Sequence, residues 1–413
     1  MKKMLVYAHY FYPDVASTGQ ILTELCQGLQ NDFEITVICV VPSYTGKITE
    51  EYKNEKFYYE KLENINIIRV SVLEFDKNKK VTRIKNILSY FFNSIKATKK
   101  VGKQNIVYTI SQPPVLGGLL GYIGKKKTKA KLVYNIQDFN PEQIMAVNYS
   151  KNKLILKVMM MLDKFVCRKS DLIITVGRDM QETLVNRFKN KKVPNNVVIN
   201  NWMDETSVYP LDKTDKNIIE FKKKYELDNK FVIMYSGNIG LYYDLENLVR
   251  IIKKYKGIND IAFAIIGEGA IKNRLIEYCN ENDMNNVVFI PYQDKEKIIY
   301  SLNAADVHLV TNAKGIKGVS VPSKIYGCMA TNVPIFGILE EGSEAWKIIA
   351  DSQCGILAHA GNYEEIEKAF DRIIKEKNEF TSKHLTGRKY LEDNFTKNRS
   401  IEKYKNEINK ICK

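Results

Sequence analysis

Short apolar runs alternate with stretches of helical periodicity along most of the chain. The runs in the first half predict the strands Met4–His9, Phe33–Val41, Ile65–Val72, Ile106–Ile110, Leu132–Ile136 and Asp171–Val176. A second series predicts the strands Phe231–Tyr235, Ile261–Ile266, Val287–Pro291, Val307–Val310 and Val333–Ile338. Strands that alternate with helices favour parallel sheets built from βαβ units. Because 413 residues are more than a single hydrophobic core usually organises, the pattern predicts two successive doubly wound α/β domains.

The polar segment Glu205–Asn229 separates the two series and is expected to be a linker and the start of the second domain. In such sheets, ligands bind beyond the carboxyl ends of the strands. Polar residues at these ends in the first series are Ser17, Thr18, Gly19, Ser111, Gln137 and Asp138, all expected in loops. No G-x-G-x-x-G follows the first strand, which argues against a nicotinamide or flavin domain.

One stretch of the second series, Lys314–Lys324, has the composition of an anion site. It follows an apolar strand and contains a glycine loop, then a helix start with Ser320 as the expected cap and Pro322 near the first turn. A helix N-terminus has free N–H groups and a partial positive charge, and nearby lysines reinforce it. The stretch predicts a diphosphate cradle. An ordinary strand–loop–helix corner with exposed lysines fits the stretch alone equally well.

The net charge of +15 is compatible with nucleic acid, an anionic membrane or an anionic substrate. No RNA- or DNA-binding signature is present, so a nucleic-acid partner is not expected. Between Val81 and Lys103, apolar residues recur at helical spacing with lysines beside them, which is compatible with an interfacial helix on anionic lipid. The commoner arrangement is a helix that packs its apolar face on the sheet.

Neither the cysteines nor the apolar runs indicate a secreted or membrane-spanning protein. The seven cysteines are scattered without metal-ligand spacing, as expected for reduced core residues. No apolar run is long enough to cross a bilayer, and the first residues read as a strand rather than a signal peptide. We therefore expect a cytoplasmic protein.

Several short motifs resemble those of family-4 glycosyltransferases in order and spacing. In the second half they include Gly237-Asn238-Ile239-Gly240, Gly267-Glu268-Gly269 and Pro322-Ser323-Lys324. In the first half, Tyr12-Pro13-Asp14 and Gln137-Asp138-Phe139-Asn140-Pro141-Glu142 also match. The resemblance covers nearly the whole chain and is closest to the fucosamine-transferase-like branch of surface-polysaccharide synthesis.

The resemblance implies the GT-B fold, with two Rossmann-like doubly wound domains and a cleft between them. It places an acceptor-binding domain at residues 1–205, with the helix of residues 387–413 crossing back to it. The nucleotide-sugar-binding domain then comprises residues 206–386. It also implies transfer with retention of anomeric configuration, in which stabilising the leaving diphosphate and positioning the substrates do most of the catalysis.

The same resemblance assigns roles to individual residues. The expected catalytic residues are Lys324, which would neutralise the diphosphate, and Asp138, which would act as base or orienter at the acceptor hydroxyl unless it is only a loop cap. The expected donor-binding residues are Gly237, Asn238, Gly240, Pro291, Tyr292, Lys317, Ser320, Ser323 and Glu344. The expected acceptor-side residues are Ser17, Thr18, Gly19, Gln137 and Glu142.

The chain departs from the family pattern at three places. Val319 and Gly327 stand where the family often has two glutamates, so Glu340, Glu341 or Glu344 would have to recognise the sugar hydroxyls. Asn238 and Tyr243 replace a common arginine and lysine, which leaves more of the phosphate charge to Lys324, alone or with Lys317. A histidine that is common in the first domain is replaced by Gln137.

The predicted function is transfer of a sugar from a nucleotide-diphosphate donor, with a UDP-linked N-acetylated hexose or deoxyhexose favoured. The predicted acceptor is a glycan or a glycan carried on a polyprenyl diphosphate, of capsule or O-antigen synthesis. No cofactor or metal is expected, and peripheral contact with an anionic membrane is compatible with the charge. A sugar-nucleotide epimerase of the same fold and a non-catalytic nucleotide-sugar-binding subunit remain alternatives.

Overall fold

The computed structural model describes residues 1–14, 17–76, 79–147, 152–189 and 191–412, without the side chain of Ser17. The chain forms two compact units. The first comprises Met1–Asn200 and the chain from Asn398 onward, and the second comprises Asn201–Lys397. The sequence placed the change of domain after residue 205 and the return at residue 387, whereas residues 387–397 lie with the second unit.

The first unit is built on an eight-stranded sheet with the strand order β3-β4-β2-β1-β5-β6-β7-β8. Its strands are β1 Lys2–Tyr7, β2 Phe33–Val40, β3 Phe57–Leu62, β4 Ile65–Val70, β5 Ile106–Ile110, β6 Lys131–Ile136, β7 Leu172–Thr175 and β8 Asn196–Val198. All neighbours are parallel except β3, which pairs antiparallel with β4. Strand β3 was not predicted because its sequence, FYYEKL, lacks the apolar run of a buried strand.

Helices cover both faces of this sheet. They are α1 Ser17–Leu29, α2 Lys80–Ala97, α3 Leu116–Thr128, α4 Glu142–Ala146, α5 Lys153–Lys169 and α6 Arg178–Arg187. Helix α3 packs between α2 and α5. Its glycines bring it close to the sheet, since a Cβ atom on Gly121 would lie 2.3 Å from Cγ2 of Thr109. Ser17, Thr18 and Gly19 form the first turn of α1, so the expectation that they belong to a loop was wrong.

The orientation of α2 also differs from the favoured expectation. Polar or small residues of α2 face the protein interior, among them Asn86, Tyr90 and Ser94. The apolar side chains of Ile84 and Phe92 are instead exposed. Phe91 and Ile95 do pack against the core of the first unit, so the expectation that α2 packs its apolar face on the sheet was right for these two residues and wrong for Ile84 and Phe92. Among the helices described, none is long and apolar enough to cross a membrane.

The second unit contains a six-stranded parallel sheet with the strand order β11-β10-β9-β12-β13-β14. Its strands are β9 Phe231–Ser236, β10 Ile261–Ile266, β11 Val287–Ile290, β12 Val307–Thr311, β13 Ile335–Leu339 and β14 Gly355–His359. Strands β10 and β11 lie on one side of β9, and strands β12, β13 and β14 lie on its other side. The carboxyl ends of β9 and β12 therefore flank the topological switch point, where ligands bind in sheets of this kind.

The helices of the second unit are α7 Lys216–Lys224, α8 Leu245–Ile252, α9 Lys272–Glu281, α10 Ile298–Asn303, α11 Lys324–Ala330, α12 Glu344–Ser352, α13 Tyr363–Lys375, α14 Lys377–Lys383 and α15 Gly387–Asn394. Helix α7 lies inside the segment expected to be a linker and the start of the second domain, and it belongs to the second unit. Asp215 caps it by accepting a hydrogen bond of 2.8 Å from the N–H of Asn217, and Ile218 is buried beneath it.

The last helix, α16 Lys397–Ile411, packs on the first unit. A Cβ atom on Gly28 of α1 would lie 2.7 Å from Cδ1 of Ile401, so the two helices touch closely. The buried hydroxyl of Tyr404 accepts a hydrogen bond of 2.6 Å from Nδ2 of Asn135 in β6. Lys405 pairs with Asp32 at 2.9 Å at the protein surface.

Candidate active site

Two glycine loops pack against each other at the carboxyl ends of β9 and β10. The N–H of Gly237 donates to the backbone carbonyl of Ile266 at 3.0 Å, and the N–H of Ile239 donates to the backbone carbonyl of Glu268 at 2.9 Å. Gly267 has a φ of 138°, and a Cβ atom there would lie 1.9 Å from the carbonyl oxygen of Gly237. Only glycine allows this approach, which fixes the Gly237 loop beside the switch point.

The loop after β12 is held by the loop after β13. The carboxylate of Glu340 accepts hydrogen bonds from the N–H groups of Gly315 and Lys317, at 2.8 and 2.9 Å. The ammonium group of Lys317 donates to the carbonyl of Glu341 at 2.6 Å. Glu340 and Lys317, two residues expected to contact the donor, therefore form contacts that fix the loop itself.

Helix α11 begins at Lys324, which corrects the expected position of its cap. Ser320 lies four residues before the helix, and the position immediately before it is occupied by Ser323. The hydroxyl of Ser323 makes no capping hydrogen bond to a described residue. The first turn of α11 thus follows the β12 loop directly and brings Lys324 to the switch point.

The side chain of Lys324 lies between two tyrosine rings. Its Nζ is 3.7 Å from the centroid of the Tyr235 ring and 4.1 Å from that of Tyr243. Its Cε is 3.5 Å from where a Cβ atom of Gly237 would lie. The side chain is partly exposed as a whole, but its nitrogen is buried and has no hydrogen-bond partner in the described part of the chain.

Burial without a counter-charge lowers the pKa of the Lys324 amine well below its usual value. The two rings offset part of this cost, because a cation over an aromatic face gains about 0.5–2 kcal/mol. The hydroxyl of Tyr235 donates to the carbonyl of Asn238 at 2.6 Å, which fixes this ring against the Gly237 loop. The arrangement provides a preformed position for an anion beside Gly237, since an anion would supply the missing counter-charge.

The other expected donor residues are spread along the same edge of the sheet. Asn238 is exposed and Gly240 is buried in the loop after β9. Pro291 and Tyr292 are exposed after β11, which lies two strands away from β9. Glu344 is buried at the first turn of α12.

The two positions where the family often has glutamates do not present side chains for hydroxyl recognition. Val319 is buried, and Gly327 lies within α11. A Cβ atom on Gly327 would already lie 3.0 Å from Cε of Met203 and 3.4 Å from Cδ1 of Leu302. A glutamate at residue 327 would therefore need its neighbours to move.

On the first unit, Asp138 follows β6 and lies in a hydrogen-bonded network. Its N–H and that of Gln137 each donate to the hydroxyl of Ser111 at 3.1 Å. Its carboxylate accepts a hydrogen bond of 3.1 Å from the amide of Gln143 and another from Gln112. Burial raises the pKa of Asp138 to about 6, although these two hydrogen bonds oppose the rise.

Thr18 joins this network, because its hydroxyl donates to Oε1 of Gln112 at 2.9 Å. Thr18 follows β1 and Gln112 follows β5, the two strands that flank the switch point of the first sheet. The structure therefore brings Thr18 and Asp138 to one network through Gln112. Gly19 is buried nearby, and a Cβ atom there would lie 3.1 Å from the carbonyl oxygen of Tyr10.

The remaining acceptor-side residues have structural contacts. The carboxylate of Glu142 accepts a hydrogen bond of 2.7 Å from Nε of Arg187, which also pairs with the buried Asp163. The buried amide of Gln137 donates to Oδ1 of Asn135 at 2.6 Å. The side chain of Ser17 lies outside the described part of the structure.

Sequence reasoning missed four residues that shape these two regions: Tyr235, Tyr243, Gln112 and Gln143. Tyr243 was noted only as a replacement, and Tyr235 was taken as an ordinary strand residue. The sequence did contain a signal for these two tyrosines, because they are aromatic residues on both sides of a glycine loop. Among the described residues, no three His, Cys, Asp or Glu side chains are grouped to hold a metal ion. The absence of a metal or cofactor requirement stays a prediction.

Residues 217–389, which contain the Lys324 site, match the family model described as "Glycosyl transferases group 1". The chain carries a group 1 glycosyltransferase domain. It is therefore a transferase. Among curated proteins, it is 27% identical to "Probable glycosyltransferase WbjE" of Pseudomonas aeruginosa, with 80% of each chain covered. It is 22% identical to "Putative colanic acid biosynthesis glycosyl transferase WcaI" of Escherichia coli K12, covering 79% of this chain and 81% of that one.

Solved structures show that the chain has the GT-B fold. Sucrose-phosphate synthase from Thermosynechococcus elongatus matches with a TM-score of 0.78 at 13% identity, covering 100% of this chain and 99% of that one. Anabaena Alr3699/HepE, in complex with UDP and glucose, matches with a TM-score of 0.72 at 13% identity, covering 99% and 100%. The closer placement in the fucosamine-transferase-like branch stays a prediction.

Proposed function

We propose that this glycosyltransferase transfers a sugar from a UDP-sugar, with retention of anomeric configuration, to a surface-polysaccharide precursor. The proposed donor sugar is an N-acetylated hexose or deoxyhexose, and the proposed acceptor is a glycan on a polyprenyl diphosphate. The reaction would take place in the cytoplasm, at the inner face of the membrane. The observation that carries the proposal is the buried, unpartnered ammonium nitrogen of Lys324 beside Gly237.

On the donor side, the diphosphate would lie against the Gly237 loop and the Lys324 ammonium. Negative charge grows on the diphosphate as the bond to the sugar breaks, and a fixed cation in a buried site stabilises it more than water does. The tyrosine rings hold Lys324 in place before the donor arrives. The residue therefore needs little reorganisation when the leaving group departs.

On the acceptor side, Asp138 would orient the attacking hydroxyl and accept its proton. A carboxyl pKa of about 6 keeps most of the group ionised at neutral pH while leaving it basic enough to take a proton. The amides of Gln112 and Gln143 hold the carboxylate in one orientation. A loop cap would need no such raised pKa, and this favours the catalytic role.

The relatives support the substrate classes. The name of WcaI assigns that protein to colanic acid synthesis, a polysaccharide pathway, and HepE has been solved with UDP and glucose. The departures at Val319, Gly327 and Asn238 fall on sugar and phosphate contacts, so they bear on which sugar is used rather than on the reaction class.

The test starts with a panel of nucleotide sugars, read by ligand-induced thermal stabilisation of the wild-type protein. We expect UDP and one UDP-sugar to raise the Tm. Lys324→Met keeps the length of the side chain and removes its charge, and it should weaken UDP binding roughly tenfold to a hundredfold, as loss of a charge-assisted contact does. Lys230→Met, at the opposite end of β9, is the matched control and should bind UDP as the wild type does.

Transfer is then measured with the donor found and a polyprenyl-diphosphate glycan. Loss of kcat in Lys324→Met but not in Lys230→Met supports the proposal, and unchanged turnover in Lys324→Met contradicts it. UDP binding with no transfer to any acceptor would favour a non-catalytic subunit. Conversion of the donor sugar without acceptor would favour an epimerase.

A further inference from the structure

The α2–α3–α5 face of the first unit presents apolar side chains that no described residue covers. In α2 they are Val81, Ile84, Leu88 and Phe92, and in α5 they are Leu154, Ile155, Val158 and Met161. These eight side chains are between 40% and 71% exposed. Within each helix most of them are three or four residues apart, so each helix presents a stripe rather than scattered positions.

The buried residues of α2 show that its stripe points away from the sheet. In α2 the buried positions include Asn86, Tyr90 and Ser94, which lie on the side opposite Ile84 and Leu88. Asn86 donates from Nδ2 to the carbonyl of Leu73 at 2.6 Å, so its polar side chain is used inside the fold. Phe91 and Ile95 of α2 pack against the core, but Ile84, Leu88 and Phe92 stay exposed, and a stripe of exposed apolar side chains is unfavourable in water alone.

Positive charge surrounds both stripes. Helix α2 contains Lys80, Arg83, Lys85 and Lys96 and no acidic residue, and α3 ends with Lys125, Lys126 and Lys127. Helix α5 contains Lys153, Lys157, Lys164, Arg168 and Lys169. Its single acid, Asp163, is buried and paired with Arg187. The three helices therefore carry most of the net charge of +15. Because the charge is concentrated there, it does not result from a compositional bias spread evenly along the chain.

Helix α3 joins the two stripes into one surface. It packs between α2 and α5, and the ring of Tyr122 lies 4.9 Å from that of Phe165 in α5, edge to face. Lys126 and Lys169 lie over these rings, at 6.0 and 5.9 Å from their centroids. These two ammonium groups place positive charge beside aromatic rings that belong to the same surface as the apolar stripes.

We propose that the α2–α3–α5 face binds an anionic lipid surface. Apolar side chains would enter the region between headgroups and acyl chains, while the lysines and arginines contact the lipid phosphates. A protein partner with an acidic rim would need an apolar complement of the same shape, whereas a lipid surface accepts two separate stripes without one. The proposal needs no part of the transfer reaction proposed above.

The test is sedimentation of the purified protein with vesicles. We expect binding to vesicles of equal parts phosphatidylglycerol and phosphatidylcholine, at least several-fold weaker binding to phosphatidylcholine alone, and weakening by added salt. Ile84→Glu with Phe92→Glu, and Leu154→Glu with Met161→Glu, should each reduce binding roughly tenfold, since they place charge where apolar contact is needed. All four positions are exposed, so the fold should tolerate these changes.

The matched control is Ile219→Glu with Leu385→Glu, two exposed apolar positions on the second unit. It should bind vesicles as the wild type does. Equal binding by all variants, or no binding by the wild type, overturns the proposal. A wild-type dimer by light scattering that becomes monomeric in the α2 and α5 variants, without vesicle binding, assigns the face to a second copy and also overturns it. UDP-induced stabilisation should persist in every variant, which separates this result from failure of the proposed reaction.

Discussion

The Nζ of Lys324 lies 3.7 Å from the centroid of the Tyr235 ring, and it is buried without a hydrogen-bond partner in the described chain. Tyr235 comes from β9 and Lys324 from the first turn of α11, the helix that follows β12, so the contact joins the two sides of the switch point. A buried amine held only by aromatic rings is costly to the folded state and useful to an anionic ligand. Stability and ligand binding should therefore respond in opposite directions when the charge is removed.

We predict that Lys324→Met stabilises the free protein by about 1–2 kcal/mol while it weakens UDP binding. The lowered pKa of Lys324 means that the unfolded chain holds this proton more tightly than the folded one. The residue therefore costs stability below its unfolded pKa of about 10.4, and the cost disappears as the pH rises toward that value. The gain in Tm of Lys324→Met over wild type should accordingly shrink toward pH 10.

Thermal unfolding of both proteins between neutral and alkaline pH measures this difference. Lys230→Met serves as the control and should change the Tm little at any pH. A lower Tm for Lys324→Met at neutral pH would show that the lysine stabilises the free fold, contrary to the expectation.

We predict that Gly267→Ala destabilises the second unit by roughly 2–4 kcal/mol, because its methyl group would lie 1.9 Å from the Gly237 carbonyl oxygen at a φ of 138°. Since the displaced backbone belongs to the Gly237 loop, UDP binding should fall as well. Gly257→Ala is the matched control, since no atom lies within 4 Å of a Cβ atom there. Denaturant unfolding and UDP titration of the two variants decide the point. Equal stability would mean that the glycine loops can separate freely.

We predict that Tyr404→Phe destabilises the first unit by about 1–3 kcal/mol, the usual cost of leaving a buried donor unsatisfied. The lost hydroxyl accepts from Asn135, whose own oxygen accepts from Gln137. Tyr59→Phe, at an exposed position of β3, should be neutral. Denaturant unfolding of both variants provides the measurement. A neutral Tyr404→Phe would show that α16 is held by its apolar contacts, such as Ile401 against Gly28, alone.

The buried parallel strands were predictable from the sequence because both of their faces are apolar. The predicted ranges Ile106–Ile110 and Ile261–Ile266 coincide with β5 and β10. An edge strand such as β3 lacks that signal, since one of its faces and one of its sides meet water. Which side of α2 is buried could not be predicted either, because periodicity shows that a helix has an apolar face but not what covers that face.

For the candidate site, the sequence predicted which loops take part but not which of their residues contact each other. The sequence placed Lys324 and Gly237 near strand ends, but their contact depends on β9 and β12 being neighbours in the sheet. Likewise, the hydrogen bond from Thr18 to Gln112 joins residues 94 positions apart. Partners of this kind follow from strand order rather than from local pattern, and so the tyrosine pair and the amides around Asp138 were missed.

The pH dependence of transfer should report Asp138. If its carboxylate receives the proton of the acceptor hydroxyl, kcat/KM falls as the pH drops through about 6, where burial places its pKa. Asp138→Asn should remove most of the activity, roughly a hundredfold or more, because general base catalysis contributes on that scale. The fold should tolerate this change, since an amide keeps the size of the side chain and carries no buried charge.

A second variant separates catalysis by Asp138 from a purely structural role. The amide of Gln143 donates to the carboxylate and stabilises its charged form, which holds the pKa lower than burial alone would. Gln143→Leu should therefore move the acidic limb of the pH–rate profile upward while leaving kcat at high pH nearly unchanged. A loop cap would give a uniform loss of activity or stability with no movement of that limb. An unmoved limb in Gln143→Leu, together with an active Asp138→Asn, would exclude Asp138 as the base.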